Sequence, residues 1–335
     1  MIIDAHAHLV APESLYGYFT MLRATGGAFG RNPPNISDET LAAAAEKQRK
    51  DYRQRRHRYA IDIVAPVCHE SFAKASARGA LVARGGQQHD RAHCENASQA
   101  LPRVAGLPQV SGESVKVCLG ELNRCVNELG FVGCLVNPDP GEGDGKTPSL
   151  GDEYWYPLWE KLVALDIPGH IHAVGCYNGR EAYDEHFSAE ETLAIVAISR
   201  SRVFDDFPKL KLMVSHGGGA VPFQIGRWRA GHVRHAKALG LSAESFDEIL
   251  RKFWFDTVVY TKDPLELLFK TVGADRCLFG TEKPGSGSAI DPETGRSFDD
   301  LRPVIESITS LMEADKTAIF SGNARTVFSR IDSVV

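Results

Sequence analysis

Met1-Ile2-Ile3-Asp4-Ala5-His6-Ala7-His8-Leu9 is the stretch whose reading decides the fold. Ile2 and Ile3 read as a short buried strand, with His6 and His8 following at its C-terminal end. A two-residue offset on extended backbone puts both imidazoles on the same side of the strand. Two neutral imidazoles converging on one point form half of a site for a divalent transition metal. Taken alone, the pair reads equally well as polar residues at a strand end. The rest of the chain decides between these readings, because it supplies further ligands at the ends of later strands.

At 335 residues and 43% hydrophobic, the chain can bury a substantial core and fits one α/β barrel with insertions. A net charge of −5 and a pI near 6.2 leave no basic face for nucleic acid. No apolar run approaches a bilayer span, and the N-terminus lacks a charged-then-apolar leader, so neither membrane nor export is expected. The seven cysteines are odd in number and show no CxxC spacing, which predicts free thiols and a cytoplasmic location.

Outward from His8, residues 11–34 form a long, partly apolar loop suited to covering a barrel mouth. Ser37 then caps a helix running to about Tyr52. Strand-like apolar runs recur at 104–108, 133–137, 167–172, 210–215, 253–257 and 276–281. Between them, helical patterns cover 114–129 and 154–165, the latter with Trp155, Leu158, Leu162 and Val163 on its core face. Ser188-Ala189-Glu190-Glu191 reads as a capping box opening a helix to Ser199. Residues 299–312 and 314–328 read as closing helices. This alternation over one domain, 1–335, predicts a distorted (β/α)8 barrel.

His6, His8, His172, His216 and Glu282 all fall at C-terminal ends of these strands, which face one mouth of such a barrel. Five at one mouth is hard to explain by packing alone. His170 lies two residues before His172 on the same strand, and spacing leaves the choice between them open. Asp256 reads equally well as a neighbour of the site or as a helix cap. The glycines 217–219 read as close backbone packing, since no phosphate-loop lysine follows.

These residues resemble the amidohydrolase superfamily, in its branch typified by aminocarboxymuconate-semialdehyde decarboxylase. His6-Ala7-His8, His172, His216 and the strand-8 acid match that branch's metal site, and Asn323-Ala324-Arg325 matches its C-terminal helix. Within it, Asn137-Pro138-Asp139-Pro140, Tyr154-Trp155-Tyr156-Pro157, Ser215-His216-Gly217-Gly218-Gly219 and Ile290-Asp291-Pro292 resemble two lignin-pathway groups. One is 4-oxalomesaconate hydratase and the other a meta-cleavage-product hydrolase. The resemblance covers 1–52 and 104–335. It implies one divalent metal, Zn2+ or alternatively Mn2+, on His6, His8, His172 and Glu282, with His216 and Glu282 handling protons. Glu282 stands where the decarboxylases carry aspartate. The end of strand 4 offers Asn137 rather than the lysine of dinuclear members, so a single metal is expected. The implied substrate is a small carboxylated dienoate or oxo-acid from aromatic ring cleavage. The implied reaction is carbon–carbon bond hydrolysis by metal-activated water, a preference resting on the glycine-bearing loop 16–31. Hydration and non-oxidative decarboxylation are the alternatives, an inactive barrel is the reading from another class, and a homo-oligomer stays open. No substrate-binding residue is assigned.

From Arg53 to Arg103 the pattern breaks. Eight arginines and Lys74 face four acids, with four of the twelve histidines among them. The tract fits the resemblance nowhere, although barrel strand 2 and a Ser-Pro-Arg segment belong there. Codons can be chosen so that reading one nucleotide later restores such a segment. The expectation is a frameshifted tract, and with it a weakly active chain. Resequencing codons 53–103 should show a displaced frame, and an intact frame overturns the expectation.

Overall fold

The computed structural model describes residues 2–8, 14, 18, 37, 39–40, 43, 59–63, 103–107, 109, 111–174, 181, 183–239 and 244–333. Eight parallel strands follow one another in chain order: β1 (Ile3–His8), β2 (Tyr59–Ile63), β3 (Arg103–Gly106), β4 (Gly133–Val136), β5 (Gly169–Ile171), β6 (Leu212–Val214), β7 (Phe253–Asp256) and β8 (Cys277–Leu278). The sheet closes on itself. Ala5 N donates to Phe279 O at 2.7 Å, His8 N to Lys283 O at 2.9 Å, and Thr281 N to His6 O at 3.1 Å. The expected distorted barrel is therefore present. Its irregularities sit at this seam, where the β1–β2 register shifts between Asp4 and Ala7 and β8 keeps only two regular residues.

β2 forms from Tyr59–Ile63 as the sequence stands and pairs with β1 and β3. Apart from Arg103, which opens β3, the rest of the anomalous tract, and with it the proposed change of frame, lies outside the described residues. So does most of the loop 11–34. Ser37 does accept from Thr40 N at 3.3 Å, as its capping role requires.

Strand period explains how the barrel positions a site. Ile3, Ala5, Val104, Leu135, Met213, Trp254 and Leu278 form one apolar cluster with Val327, Phe328 and Ile331 of the C-terminal segment. Side chains two residues further along a strand share its face. Trp254 is thus followed by Asp256, Met213 by Ser215, and Leu278 by Gly280 and then Glu282. The same spacing carries His170 to His172. An apolar floor gives way to a polar layer at the C-terminal ends, where active sites of this architecture lie. A larger cluster on the other face packs the helices onto the sheet, with Trp155, Trp159, Phe131, Phe253 and Phe255 fully buried. Each such side chain contributes about 1.5–3 kcal/mol of hydrophobic stabilisation.

Around the sheet lie α1 (Leu119–Asn127), α2 (Tyr156–Leu165), α3 (Tyr183–Ser199), α4 (Ile225–Leu239) and α5 (Lys262–Val272). Two of the expected helix boundaries move. α3 begins five residues before Ser188, which lies inside the helix with its carbonyl accepting from Thr192 Oγ1. The apparent capping box fails because Glu191 is buried and bonded to His216 rather than to the Ser188 backbone. Regular helix in 299–312 is confined to Leu301–Glu306, while 313–327 is helical throughout, with a π turn at Ala318–Gly322. Asn323 fastens that last helix by donating from Nδ2 to the carbonyls of Ala274 and Cys277. Cys118, Cys125, Cys134 and Cys277 are free and buried, as expected of thiols; the other three lie outside the described residues.

The seam depends on one buried carboxylate. Asp4 accepts from Thr281 Oγ1 at 2.6 Å, from Thr281 N at 3.1 Å and from His6 N at 3.3 Å. Thr281→Val removes the hydroxyl but keeps the shape, and should destabilise the protein by about 1–3 kcal/mol. Equilibrium denaturation of the two proteins measures this, and an unchanged midpoint would show that the seam does not rely on the contact.

Candidate active site

The polar layer brings together all five residues singled out in the sequence. Ligand atoms of His6, His8, His172 and Glu282 lie within 4.8 Å of one another. The His6 ring centroid is 5.2 Å from that of His8, 5.0 Å from His172 and 5.5 Å from His216.

The hydrogen bonds say which nitrogens face the centre. His6 Nδ1 donates to Asp256 Oδ2 at 2.5 Å, and His172 Nδ1 donates to the Ala173 carbonyl. Each bond fixes a tautomer whose lone pair sits on Nε2. Both Nε2 atoms are buried without a hydrogen-bond partner. Burial first, and then the neighbouring imidazoles, hold both rings well below the ordinary histidine range, hence neutral. Orphaned nitrogens are costly in a protein interior. Neutral histidines with Nδ1 tied to a carboxylate or carbonyl, and Nε2 aimed at a shared point beside a carboxylate, are what a divalent metal requires. The donor set therefore fits such an ion. His170 is fully buried, and its Nε2 is 2.8 Å from Ser215 Oγ. The structure so groups His172 with His8 and Glu282, and sets His170 against Asp256 and His6 on the other side.

His216 has a different environment. Its Nδ1 is 2.8 Å from Glu191 Oε1 and its Nε2 is 3.2 Å from Glu282 Oε1. Burial alone would lower its pKa, but the charges and hydrogen bonds of Glu191 and Glu282 outweigh that and raise it well above the ordinary value. A carboxylate oxygen thus faces each ring nitrogen, an arrangement that favours the protonated ring. Burial similarly raises Glu282, yet the bond to His216 and the surrounding histidines win and hold its carboxyl far below the usual range. Glu191, with no solvent contact, is pushed up to about 7, chiefly by burial.

Several working parts were not read from the sequence. Tyr260 donates its hydroxyl to Glu282 Oε2. Phe187 stacks on His216, with rings 4° from parallel and 5.6 Å apart. The sequence left Asp256 between a neighbour of the site and a helix cap; it accepts from Gly217 N and Val258 N at 3.0 Å each, in addition to His6, and so stands beside the site. His216, Tyr260 and Glu282 all adopt positive φ, near 50–60°, which is uncommon away from glycine and recurs where function constrains a backbone. Gly217 to Gly219 share the positive φ that follows His216. A Cβ on Gly218 would meet the Phe255 ring at 2.7 Å, and one on Gly219 the Ser188 carbonyl at 2.3 Å. Close packing thus explains the glycine run.

Comparison with known proteins identifies the family. The family model described as amidohydrolase matches residues 3–330. The 2-keto-4-carboxy-3-hexenedioate hydratase of a Sphingobium species is 40% identical over 232 residues, 69% of this chain and 66% of that relative. A gamma-resorcylate decarboxylase of a Polaromonas species is 28% identical, covering 70% of this chain and 73% of its own. Among solved structures, 4-oxalomesaconate hydratase from Rhodopseudomonas palustris superposes with a TM-score of 0.86 at 32% identity, covering 99% of this chain and 97% of that one. A dihydroxybenzoic acid decarboxylase from Polaromonas, solved with bound manganese, shares the fold at a TM-score of 0.72 and 22% identity, with 98% and 96% covered. The chain belongs to the amidohydrolase family and is an enzyme of that superfamily.

Proposed function

We propose that this enzyme is a metal-dependent hydro-lyase that adds water across a double bond of a small, carboxylated, conjugated oxo- or enol-acid. His6, His8, His172 and Glu282 would hold one divalent ion, Mn2+ or Zn2+, and His216 would be the general acid–base. The observation that carries the reading is the pairing of orphaned, buried Nε2 atoms on His6 and His172 with a His216 held between the carboxylates of Glu191 and Glu282. The similarity to two hydratases, at 40% and 32% identity, supports hydration over its alternatives. Carbon–carbon hydrolysis rested on the loop 16–31, which apart from Tyr18 lies outside the described residues, and the relatives reported above are hydratases and decarboxylases.

A bound divalent ion supplies Lewis acidity, polarising an oxygen and lowering the pKa of water toward neutrality. The chain's own groups manage the protons. Hydration forms one carbon–oxygen bond, opens the double bond, moves one proton from water to the neighbouring carbon and leaves the other on the new hydroxyl. His216 would give the proton at Nε2 to carbon and recover one from water, while Glu282 beside it stays ionised and accepts the His216 hydrogen bond. Glu191 at Nδ1 keeps the imidazole oriented and charged, much as a buried carboxylate orients a catalytic histidine elsewhere. Tyr260 restrains the Glu282 carboxylate, and Phe187 covers one face of the His216 ring. Decarboxylation is the second reading, favoured by the decarboxylase relatives but not by glutamate at position 282.

Two variants and one product analysis test the proposal. His216→Asn should keep the tightly bound metal while turnover falls about a hundredfold or more, whereas the His6→Ala/His8→Ala pair should lose that metal and activity together. With a carboxylated conjugated oxo-acid as substrate, mass spectrometry should show a product heavier by one water. Release of carbon dioxide would establish decarboxylation instead, and two carbon fragments would establish hydrolysis. Loss of metal in step with activity in His216→Asn would make His216 a ligand.

A further inference from the structure

α3 and the segment after β4 together carry a second set of metal-type donors that the chemistry above does not use. We propose that Asp139, His186 and Glu190 form a second binding site for a divalent cation of the zinc class. Their ligand atoms all lie within 4.8 Å of one another. His186 is only 2% exposed, and its Nε2 is buried with no hydrogen-bond partner. Its Nδ1 donates to Glu181 Oε2 at 2.8 Å, which leaves the lone pair on Nε2. That atom is 3.7 Å from Asp139 Oδ2, too far for a hydrogen bond and suited to two ligands sharing an ion. The arrangement repeats the carboxylate–histidine–metal pattern in which the outer carboxylate fixes the tautomer.

The carboxylates point the same way. Burial, and then their mutual repulsion in the case of Glu190, push the Asp139 carboxyl up and the Glu190 carboxyl to about 7. Among the described residues neither has a lysine or arginine within ion-pair distance, and His186 is the basic group that faces Asp139, at 3.7 Å. Asp139 is held in place: its N donates to Asn137 Oδ1 at 3.1 Å and its Oδ2 accepts from Gly143 N. Asp139 and Glu190 also line a cavity of about 420 Å3, so a hydrated ion has a way in and its remaining positions can keep water. One imidazole and two carboxylates suit zinc or manganese. With fewer nitrogen donors and a partly open setting, this site should be the weaker of the two.

The position gives the ion a role. His186 and Glu190 are spaced i, i+4 on α3, and Phe187 and Glu191 form the same pair one residue on, rotated by about 100°. The second pair holds His216, by stacking and by a hydrogen bond. A cation on the first pair ties α3 to the segment after β4, and so fixes the helix that positions His216.

Metal-free, full-length protein titrated with ZnCl2, read by calorimetry and by metal analysis after dialysis, tests this without any assay of activity. The wild type should take up two equivalents, and Glu190→Gln and Asp139→Asn should each take up one, or bind the second at least tenfold more weakly. On the His6→Ala/His8→Ala background one equivalent should remain, and adding Glu190→Gln should abolish it. Failure of the first site alone would therefore leave that remaining equivalent intact. If the double-alanine protein is unfolded by circular dichroism, the comparison of wild type with Glu190→Gln decides. A single equivalent in the wild type, or a second one indifferent to Glu190→Gln and Asp139→Asn, overturns the proposal.

Discussion

The carboxylate of Asp256 is the contact on which the site depends. It is fully buried, and burial raises its pKa, so it must be compensated by hydrogen bonds. One oxygen accepts from His6 Nδ1, and the other from the backbone of Gly217 and Val258. A single group thereby orients a metal-type histidine on β1 and pins the glycine turn that carries His216 after β6. It also fixes the start of the segment leading to Tyr260, whose hydroxyl restrains Glu282. Hydrogen bonds to charged groups are worth about 1.5–3 kcal/mol each, and losing one partner here leaves a buried group uncompensated. Asp4 does the same kind of work one strand away, holding β8 against β1.

Around this core, two kinds of histidine emerge from one layer of side chains. Burial and neighbouring imidazoles push His6 and His172 toward the neutral form, whereas two carboxylates outweigh the same burial and push His216 toward the charged one. The difference is set by α3, which brings Glu191 to His216 Nδ1, while its Phe187 stacks on His216 and meets His172 edge-on. The roles proposed for them, ligand and proton carrier, thus follow from their partners rather than from residue type.

Much of this was legible in the sequence, for physical reasons that can be named. His6 and His8 announced themselves because strand geometry has period two, and His172, His216 and Glu282 because each ends an apolar run. The barrel was legible from the alternation of those runs with amphipathic segments. Glu191 was misread as half of a capping box, since Ser188 and Glu191 have the right spacing and only the buried contact with His216 shows otherwise. Tyr260 and Phe187 carry no local pattern, and their roles exist only once β7 and α3 are packed. Neither α4 nor α5 was read as a helix. In α5 the spacing of Leu265, Leu268, Phe269 and Val272 was available and marks the buried face. The choice of His172 over His170 needed the resemblance, because period two places both on the same face.

The central claim is that His6, His8, His172 and Glu282 close around one metal while His216 stays free of it. Anomalous diffraction at the metal edge, from crystals of the manganese- or zinc-loaded protein, addresses it directly. The account predicts a peak at about 2.0–2.3 Å from the Nε2 atoms of His6 and His172, with His8 and Glu282 completing the set and His216 outside it. A centre without a peak, or one whose ion sits on His216 or on the His170–Asp256 side, would contradict it.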